Sequence, residues 1–387
     1  MKRKYYAATP VTWYNEPYRV WGLYRELYKT KRTQREIRIA EERKEQRMIQ
    51  NRVYVEGKKF LVDGREIWFN GVNTPWQHWD EFGSCMEPDF WKEHYRMLHE
   101  SGINSSRVWI TCSGDVGIEI DENGYVKGAT KQHWDDVKCL FEAAEQNGIY
   151  IMATFMSFDH FKTENKNHLR WRAMVRNDEA TDSYIQNYVI PFCEKFGHYK
   201  SLWSIDLCNE PDWVYENEEA GKLDWKYLCR FFAKAAAAIH KNSDILVTVG
   251  YAIVKYNSAK YFGDLGCDAY MQECFADEKA YMDFYSTHYY EWMAPNYNIP
   301  FDKSPEEFGI VTDKPVVLGE FPAKGLIGDQ TNSKPMDTTA CYLGCFENGW
   351  QGIMAWTSDG IDSCGNMNHI APAAAAVFAK AKEQIQV

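Results

Sequence analysis

The sequence predicts an α/β fold: one (β/α)8 (TIM) barrel over residues 53–387, behind a basic, aromatic-rich helical extension over 1–52. Three observations predict it. Eight short segments rich in Val, Ile and Phe recur between residues 67 and 356, apolar on both sides as fully buried parallel strands are. Helix-patterned stretches alternate with them. Neither G-x-G-x-x-G nor G-x-x-x-x-G-K-[ST] occurs, so the phosphate turn that commonly opens a doubly wound sheet is missing.

The extension comes first. Residues 1–52 hold 14 Lys/Arg and 6 Asp/Glu, a net of +8; the totals of 44 and 55 then leave 30 and 49, a net of −19, for residues 53–387. Tyr5, Tyr6, Trp13, Tyr14, Tyr18, Trp21, Tyr24 and Tyr28 crowd its first half. Residues 30–50 read as a solvated helix, but Glu41/Glu45 and Arg43/Arg47 are like-signed at i,i+4, so it is not self-stabilised. An exposed helix is expected, with self-association or partner binding as its alternative use.

From residue 53 short strands follow, with turns at Glu56-Gly57 and Asp63-Gly64; the second is a two-residue hairpin signal. The eight expected barrel strands are 67–72, 104–110, 150–155, 202–208, 245–250, 284–288, 316–320 and 352–356. Between them, DFWKEHYRMLHESG places Phe90, Trp91, His94, Met97 and Leu98 near one face and stops at Gly102. In the next helix Thr130 is the expected cap, Trp134, Val137, Leu140, Phe141 and Ala144 the stripe, and Gly148 the stop. DWKYLCRFFAKAAAAIHKN, TTACYLGCFENG and PAAAAVFAKAKEQIQ repeat the pattern, and two further helices are expected near 180–197 and 270–282.

Composition narrows the function. A net charge of −11 disfavours nucleic acid, because phosphate needs Lys/Arg counter-charge. No run of 18 apolar residues occurs, so no membrane span is expected. The 11 Cys include no C-x-x-C and read as buried thiols of a reducing compartment. With no apolar leader run, the expectation is a cytoplasmic protein, or a secreted one from which a leader has been trimmed. No H-E-x-x-H or paired His at strand ends appears, so no metal and no cofactor is expected.

In such a barrel, chemistry sits where the strands end. The second strand ends in Arg107 and Trp109, and the third runs into Asp159 and His160. The fourth ends in Asn209 and Glu210, the sixth in His288, Tyr289 and Tyr290, the seventh in Glu320 and the eighth in Trp356. Two carboxylates therefore cap strands four and seven and can meet across the mouth. Glycosidic cleavage needs such a pair, one to protonate the leaving oxygen and one to attack or to activate water. Arg107 and Tyr290 are placed to hold one ionised, and apolar neighbours to keep the other protonated.

LWSIDLCNEPD, with Asn209-Glu210-Pro211, and KPVVLGEFPAKG, with Glu320, resemble the two catalytic signatures of glycoside hydrolase family 5, the cellulase/β-mannanase group of retaining (β/α)8 hydrolases. KFLVDGREIWFNGVN, Arg107 in NSSRVWI, His288 and Tyr290 in THYYEW and Trp356 in MAWTSDG match that group in order, over roughly residues 53–387. The resemblance implies that Glu210 is the acid/base and Glu320 the nucleophile. It further implies that Asn209 bonds the sugar 2-hydroxyl, Arg107 and Tyr290 keep Glu320 charged, His288 contacts sugar or acid/base, and Trp356 stacks beneath the sugar. TFMSFDHFK departs from the family's usual histidine after strand three, displacing Asp159 and His160, which are expected to touch substrate.

Aromatics make up 16% of the chain, enough for a core and a sugar-stacking track. Trp76, Trp79, Trp109, Trp213, Trp292 and Trp356 are expected in the track, and Trp68, Trp91, Trp134, Trp203 and Trp225 in the packing. The expected substrate is β-mannan or manno-oligosaccharide, with β-1,4-glucan as the close alternative and a non-catalytic sugar-binding barrel as the distant one.

Overall fold

The computed structural model describes residues 49–263, 265–381 and 385–386. The extension expected over 1–52 lies outside the described residues except for 49–52.

The first described elements are an antiparallel sheet of β1 (Val53–Glu56), β2 (Lys59–Val62) and β3 (Arg65–Ile67). Asp63 and Gly64 between β2 and β3 have φ of +52° and +73°, the left-handed pair a tight hairpin loop requires. Then come β4 (Phe69–Asn73), β5 (Ser105–Trp109), β6 (Ile118–Ile120), β7 (Val126–Ala129), β8 (Tyr150–Thr154), β9 (Leu202–Asn209), β10 (Leu246–Tyr251), β11 (Tyr285–His288), β12 (Val316–Pro322) and β13 (Gly352–Trp356). The eight strands β4, β5, β8, β9, β10, β11, β12 and β13 close into a barrel in that order, and each adjacent pair is parallel. All eight expected strands are present.

The barrel's lower end is sealed by aromatics. Phe60 on β2 meets Phe69, Trp203 and Phe284 edge-on, with centroids 5.2, 5.3 and 5.2 Å away. Trp203 in turn stacks on Phe69 at 3.9 Å and Phe284 at 5.0 Å. The amino-terminal hairpin thus inserts one ring into a stack supplied by β4, β9 and the residue just before β11. Trp68, Trp91, Trp203 and Trp225 are buried and Trp134 half-buried, all packed as expected.

The helices follow their caps. Thr130 accepts from the His133 N–H at 3.1 Å, and Gly148 ends that helix at φ +73°. Two expectations change. The helix near 180–197 is broken into Asp178–Tyr184, a π turn at Ile185–Val189, and Ile190–Phe196. Pro191 has no N–H to give, and one wide turn just ahead of it absorbs that loss. The helix near 270–282 is only Asp268–Cys274. Beyond it Asp277 accepts from the Lys279 N–H at 3.0 Å, a local turn that competes with helix. The β6–β7 hairpin was not expected, although Asn123-Gly124 marks its turn. No helix among the described residues is long and apolar enough to cross a membrane.

Phe60→Ala should destabilise the barrel by about 3–5 kcal/mol, because the ring is fully buried and its cavity is walled by three rigid aromatics. Urea unfolding measures this; a loss below about 1 kcal/mol would show that the hairpin is not the barrel's seal.

Candidate active site

Glu210 directly follows β9 and opens the short helix Pro211–Glu216. Its backbone sits at φ +49°, ψ +49°, a left-handed conformation uncommon outside glycine and characteristic of constrained functional positions. Its N–H bonds the Gly250 carbonyl at 2.7 Å. Its Oε1 lies 2.8 Å from His288 Nδ1, and its Oε2 accepts from the Trp213 indole N–H at 2.9 Å. Glu320 lies on β12 and is 4% exposed. Its Oε1 accepts from Arg107 Nη1 at 2.6 Å and its Oε2 from the Tyr290 hydroxyl at 2.9 Å.

Donor atoms of Glu210, His288 and Glu320 all lie within 4.8 Å of one another. That spacing alone would let them share a cation. The hydrogen bonds argue for a different use: the Arg107 guanidinium already supplies Glu320 with its positive charge, and both Glu210 oxygens have partners.

The two carboxyls differ electrically. Burial pushes Glu210 up to about 7, with the Trp213 N–H and the Arg107 charge opposing only in part. Burial also raises Glu320, opposed by His288 and Arg107. His288 is itself lowered to about 4 by burial and is neutral at pH 7, so the opposing charge there comes from Arg107. A guanidinium on one oxygen and a phenol on the other favour the Glu320 anion. Glu210 is therefore the carboxyl that holds a proton near neutrality, and Glu320 the one that ionises.

Arg107 is fully buried and organises the floor of the site. Besides Glu320 it donates to Asp206 Oδ2 from Nε and Nη2 (3.0 and 2.6 Å), to Asn209 Oδ1 (2.8 Å) and to Asn73 Oδ1 (3.2 Å). The strand-end residues Arg107, Asn209, Glu210, His288, Tyr290 and Glu320 are thus one connected set. Asp206 and Asn73 were missed. The signal for Asp206 was a lone acidic residue in the otherwise buried run LWSIDLCN, since a charge there needs an opposite charge.

The aromatics divide into two groups. Trp76, Trp109 and Trp356 pack together with Cys112 and Cys364. Trp356 is 7% exposed and its indole donates to Asp362 at 3.1 Å. Trp76 is half-buried and carries the more exposed Trp79 at 4.6 Å. Trp109 corrects the expected track: at 1% exposure it has no face for a sugar, and it lies 4.3 Å beneath the Arg107 guanidinium instead. On the Glu210 side, half-buried Trp213 pairs with exposed Trp292 at 5.9 Å.

Asp159 is half-buried, bonded to the Ser157 hydroxyl at 2.8 Å and paired with Lys162 at 2.8 Å. His160 is a second correction. It is fully buried, accepts from the Ser157 N–H through Nδ1, and meets Thr111 Oγ1 at 3.0 Å through Nε2. Both ring nitrogens are used in holding the loop after β8, which leaves none for substrate.

No family model matches the chain. Two curated relatives do. A mannan endo-1,4-beta-mannosidase of Mytilus edulis is 24% identical over 335 residues, 80% of this chain and 88% of that protein. One of Cryptopygus antarcticus is 22% identical over 338 residues, 80% of this chain and 85% of that protein. Among solved structures, beta-mannanase from the blue mussel M. edulis has a TM-score of 0.74 at 22% identity, covering 87% of this chain and 99% of that one. Endo-1,4-beta-mannanase from Eisenia fetida has a TM-score of 0.73 at 20% identity, covering 85% and 95%. The family 5 resemblance is borne out. The structural likeness shows the shared (β/α)8 fold.

Trp213→Phe removes the N–H that stabilises the Glu210 anion, so the Glu210 pKa should rise. The alkaline limb of kcat/KM, which reports the free enzyme's acid, should move up by about 0.5–1 pH unit. A limb that stays put or moves down would show that the indole does not bear on Glu210.

Proposed function

We propose that the chain is a retaining glycoside hydrolase that cleaves β-1,4-mannan or manno-oligosaccharides internally, by double displacement. The observation that carries the mechanism is the pair itself: Glu210 and Glu320 approach within 4.8 Å, in surroundings that protonate one and ionise the other. Retaining enzymes hold their carboxyls about 5–5.5 Å apart, whereas inverting ones leave about 6.5–9.5 Å for a water. The mannan preference is supported by the two curated relatives, which match over most of their own length.

In the first step the Glu320 carboxylate attacks the anomeric carbon. The bond to the glycosidic oxygen breaks, and the Glu210 proton passes to that oxygen as the leaving sugar departs. Glu210, now a carboxylate, next takes a proton from water; the resulting hydroxide equivalent attacks the same carbon and releases Glu320. Arg107 and Tyr290 hold Glu320 in place as its charge is spent and restored. Asn209, anchored by Arg107, is the group for the sugar 2-hydroxyl. Trp356 and Trp76 on one side, and Trp213 and Trp292 on the other, offer flat apolar faces for sugar rings.

Hydrolysis of a panel of β-1,4-mannan, glucan, xylan and aryl glycosides tests this reading. Mannan should be the best polymer. Glu210→Ala should cost about 10²–10⁴-fold on polymer but much less on an aryl mannoside, whose phenol leaves without a proton. Glu320→Ala should abolish both. Wild-type inactivity on mannan, or equal activity of Glu320→Ala, would refute the assignment.

A further inference from the structure

We propose that Asp206, buried beneath the catalytic pair, is a positioning residue that sets how strongly Arg107 holds Glu320, and so tunes the nucleophile. The proposal rests on the double-displacement reading above and goes beyond it.

The geometry is unequal in a telling way. Arg107 turns its Nε/Nη2 edge, the side that makes two-point contacts with carboxylates, toward Asp206 Oδ2 at 3.0 and 2.6 Å. Glu320 receives one N–H, from Nη1 at 2.6 Å. One guanidinium charge thus serves two buried carboxylates, and the one that never meets substrate takes the larger share.

Asp206 is fixed for this. It is fully buried. Its Oδ1 accepts the Gly250 and Cys208 N–H groups at 2.9 and 3.3 Å, and its Oδ2 the Thr154 hydroxyl at 3.3 Å. Gly250 makes the close approach feasible. A Cβ there would fall 2.8 Å from Arg107 Nη2, 2.9 Å from Asp206 Oδ2 and 3.1 Å from His288 Nε2. The same glycine's carbonyl holds the Glu210 N–H, so one position on β10 registers the floor of the site with the acid/base.

The groups around Glu320 are Arg107 from β5, Glu210 after β9, His288 and Tyr290 from the end of β11, and Cys364 from the loop after β13. Glu210, pushed up to about 7, is largely protonated below neutrality, and burial keeps His288, Tyr290 and Cys364 uncharged at pH 7. Arg107 is the one positive charge among these partners at pH 7, so whatever else binds Arg107 bears on the Glu320 anion. A carboxylate held too firmly by a guanidinium is a poor nucleophile, and one left unpaired in a buried site would take up a proton. Asp206 places Glu320 between these limits.

The test is the pH dependence of kcat and KM on manno-oligosaccharide for the full chain carrying Asp206→Asn. With Asp206 neutral, Arg107 serves Glu320 alone. The acid limb of kcat/KM should move down by about one pH unit, kcat at the plateau should fall, and KM should change little. The alkaline limb should stay. Thr154→Val gives the opposite sign: removing a donor that shares Oδ2 strengthens Asp206's hold on Arg107, and the acid limb should move up by a few tenths of a unit. This nearly isosteric variant carries the test if Asp206→Asn does not fold. An unmoved acid limb in folded Asp206→Asn, or a downward shift in Thr154→Val, overturns the proposal. An inactive wild type would instead overturn the glycosidase reading itself.

Discussion

The arrangement depends on one buried guanidinium. Arg107 sits in the barrel with no exposure, where an unpaired charge would cost several kcal/mol. Every N–H it owns is directed to Asp206, Glu320, Asn209 or Asn73. These partners come from β4, β9 and β12, so satisfying Arg107 brings the ends of separate strands into one register. Two of them, Asn209 and Glu320, are also the groups proposed to meet the sugar. The requirement that stabilises the floor of the site is therefore the requirement that assembles it. Because Asp206 remains to neutralise Arg107, the Glu320 carboxylate can be removed without orphaning the buried cation, which makes Glu320 variants informative about chemistry rather than folding.

The barrel separates stability from function along its axis. Its lower end is a dry aromatic stack of Phe60, Phe69, Trp203 and Phe284. Its upper end is a polar network in which neighbours approach too closely for side chains. At Gly319 a Cβ would lie 2.4 Å from Ser286 Oγ and 3.2 Å from His288 Nε2. With Gly250, this leaves room for His288 to stand between the carboxylates. The left-handed backbone of Glu210 belongs to the same pattern: its strain is held by the Gly250 carbonyl on one side and Pro211 on the other.

The barrel and its reacting pair were legible from strand-end residues because buried parallel strands are apolar runs whose polar exits stand out. Glu210 and Glu320 stand at the ends of such runs, while Arg107 and His288 stand at the ends of strands whose preceding residues are small and polar. Asp206 was not legible in the same way, since a charge inside LWSIDLCN reads as an interruption until its cation is known. Trp109 and His160 were misread for a related reason. Trp109 lies at the end of β5, where exposure is common, yet Trp76 and Trp356 cover it. His160 follows β8 by sequence, but a 3-10 turn folds it inward onto Trp171 at 5.0 Å. Position along a strand predicts which level of the barrel a residue occupies; only packing decides which way it faces. The proposed mannan preference has a different source. No residue around Glu320 encodes an axial rather than an equatorial hydroxyl by type alone, and likeness to known mannanases supplies that part.

Stereochemistry tests the account most directly. Proton NMR of the first product released from a manno-oligosaccharide, recorded before mutarotation, reports the anomer the enzyme makes. Attack by Glu320 followed by water on the same carbon requires net retention, so the β-anomer should appear first. Initial release of the α-anomer would mean a single displacement by water, and would contradict both the covalent role of Glu320 and the close pairing with Glu210 on which it rests.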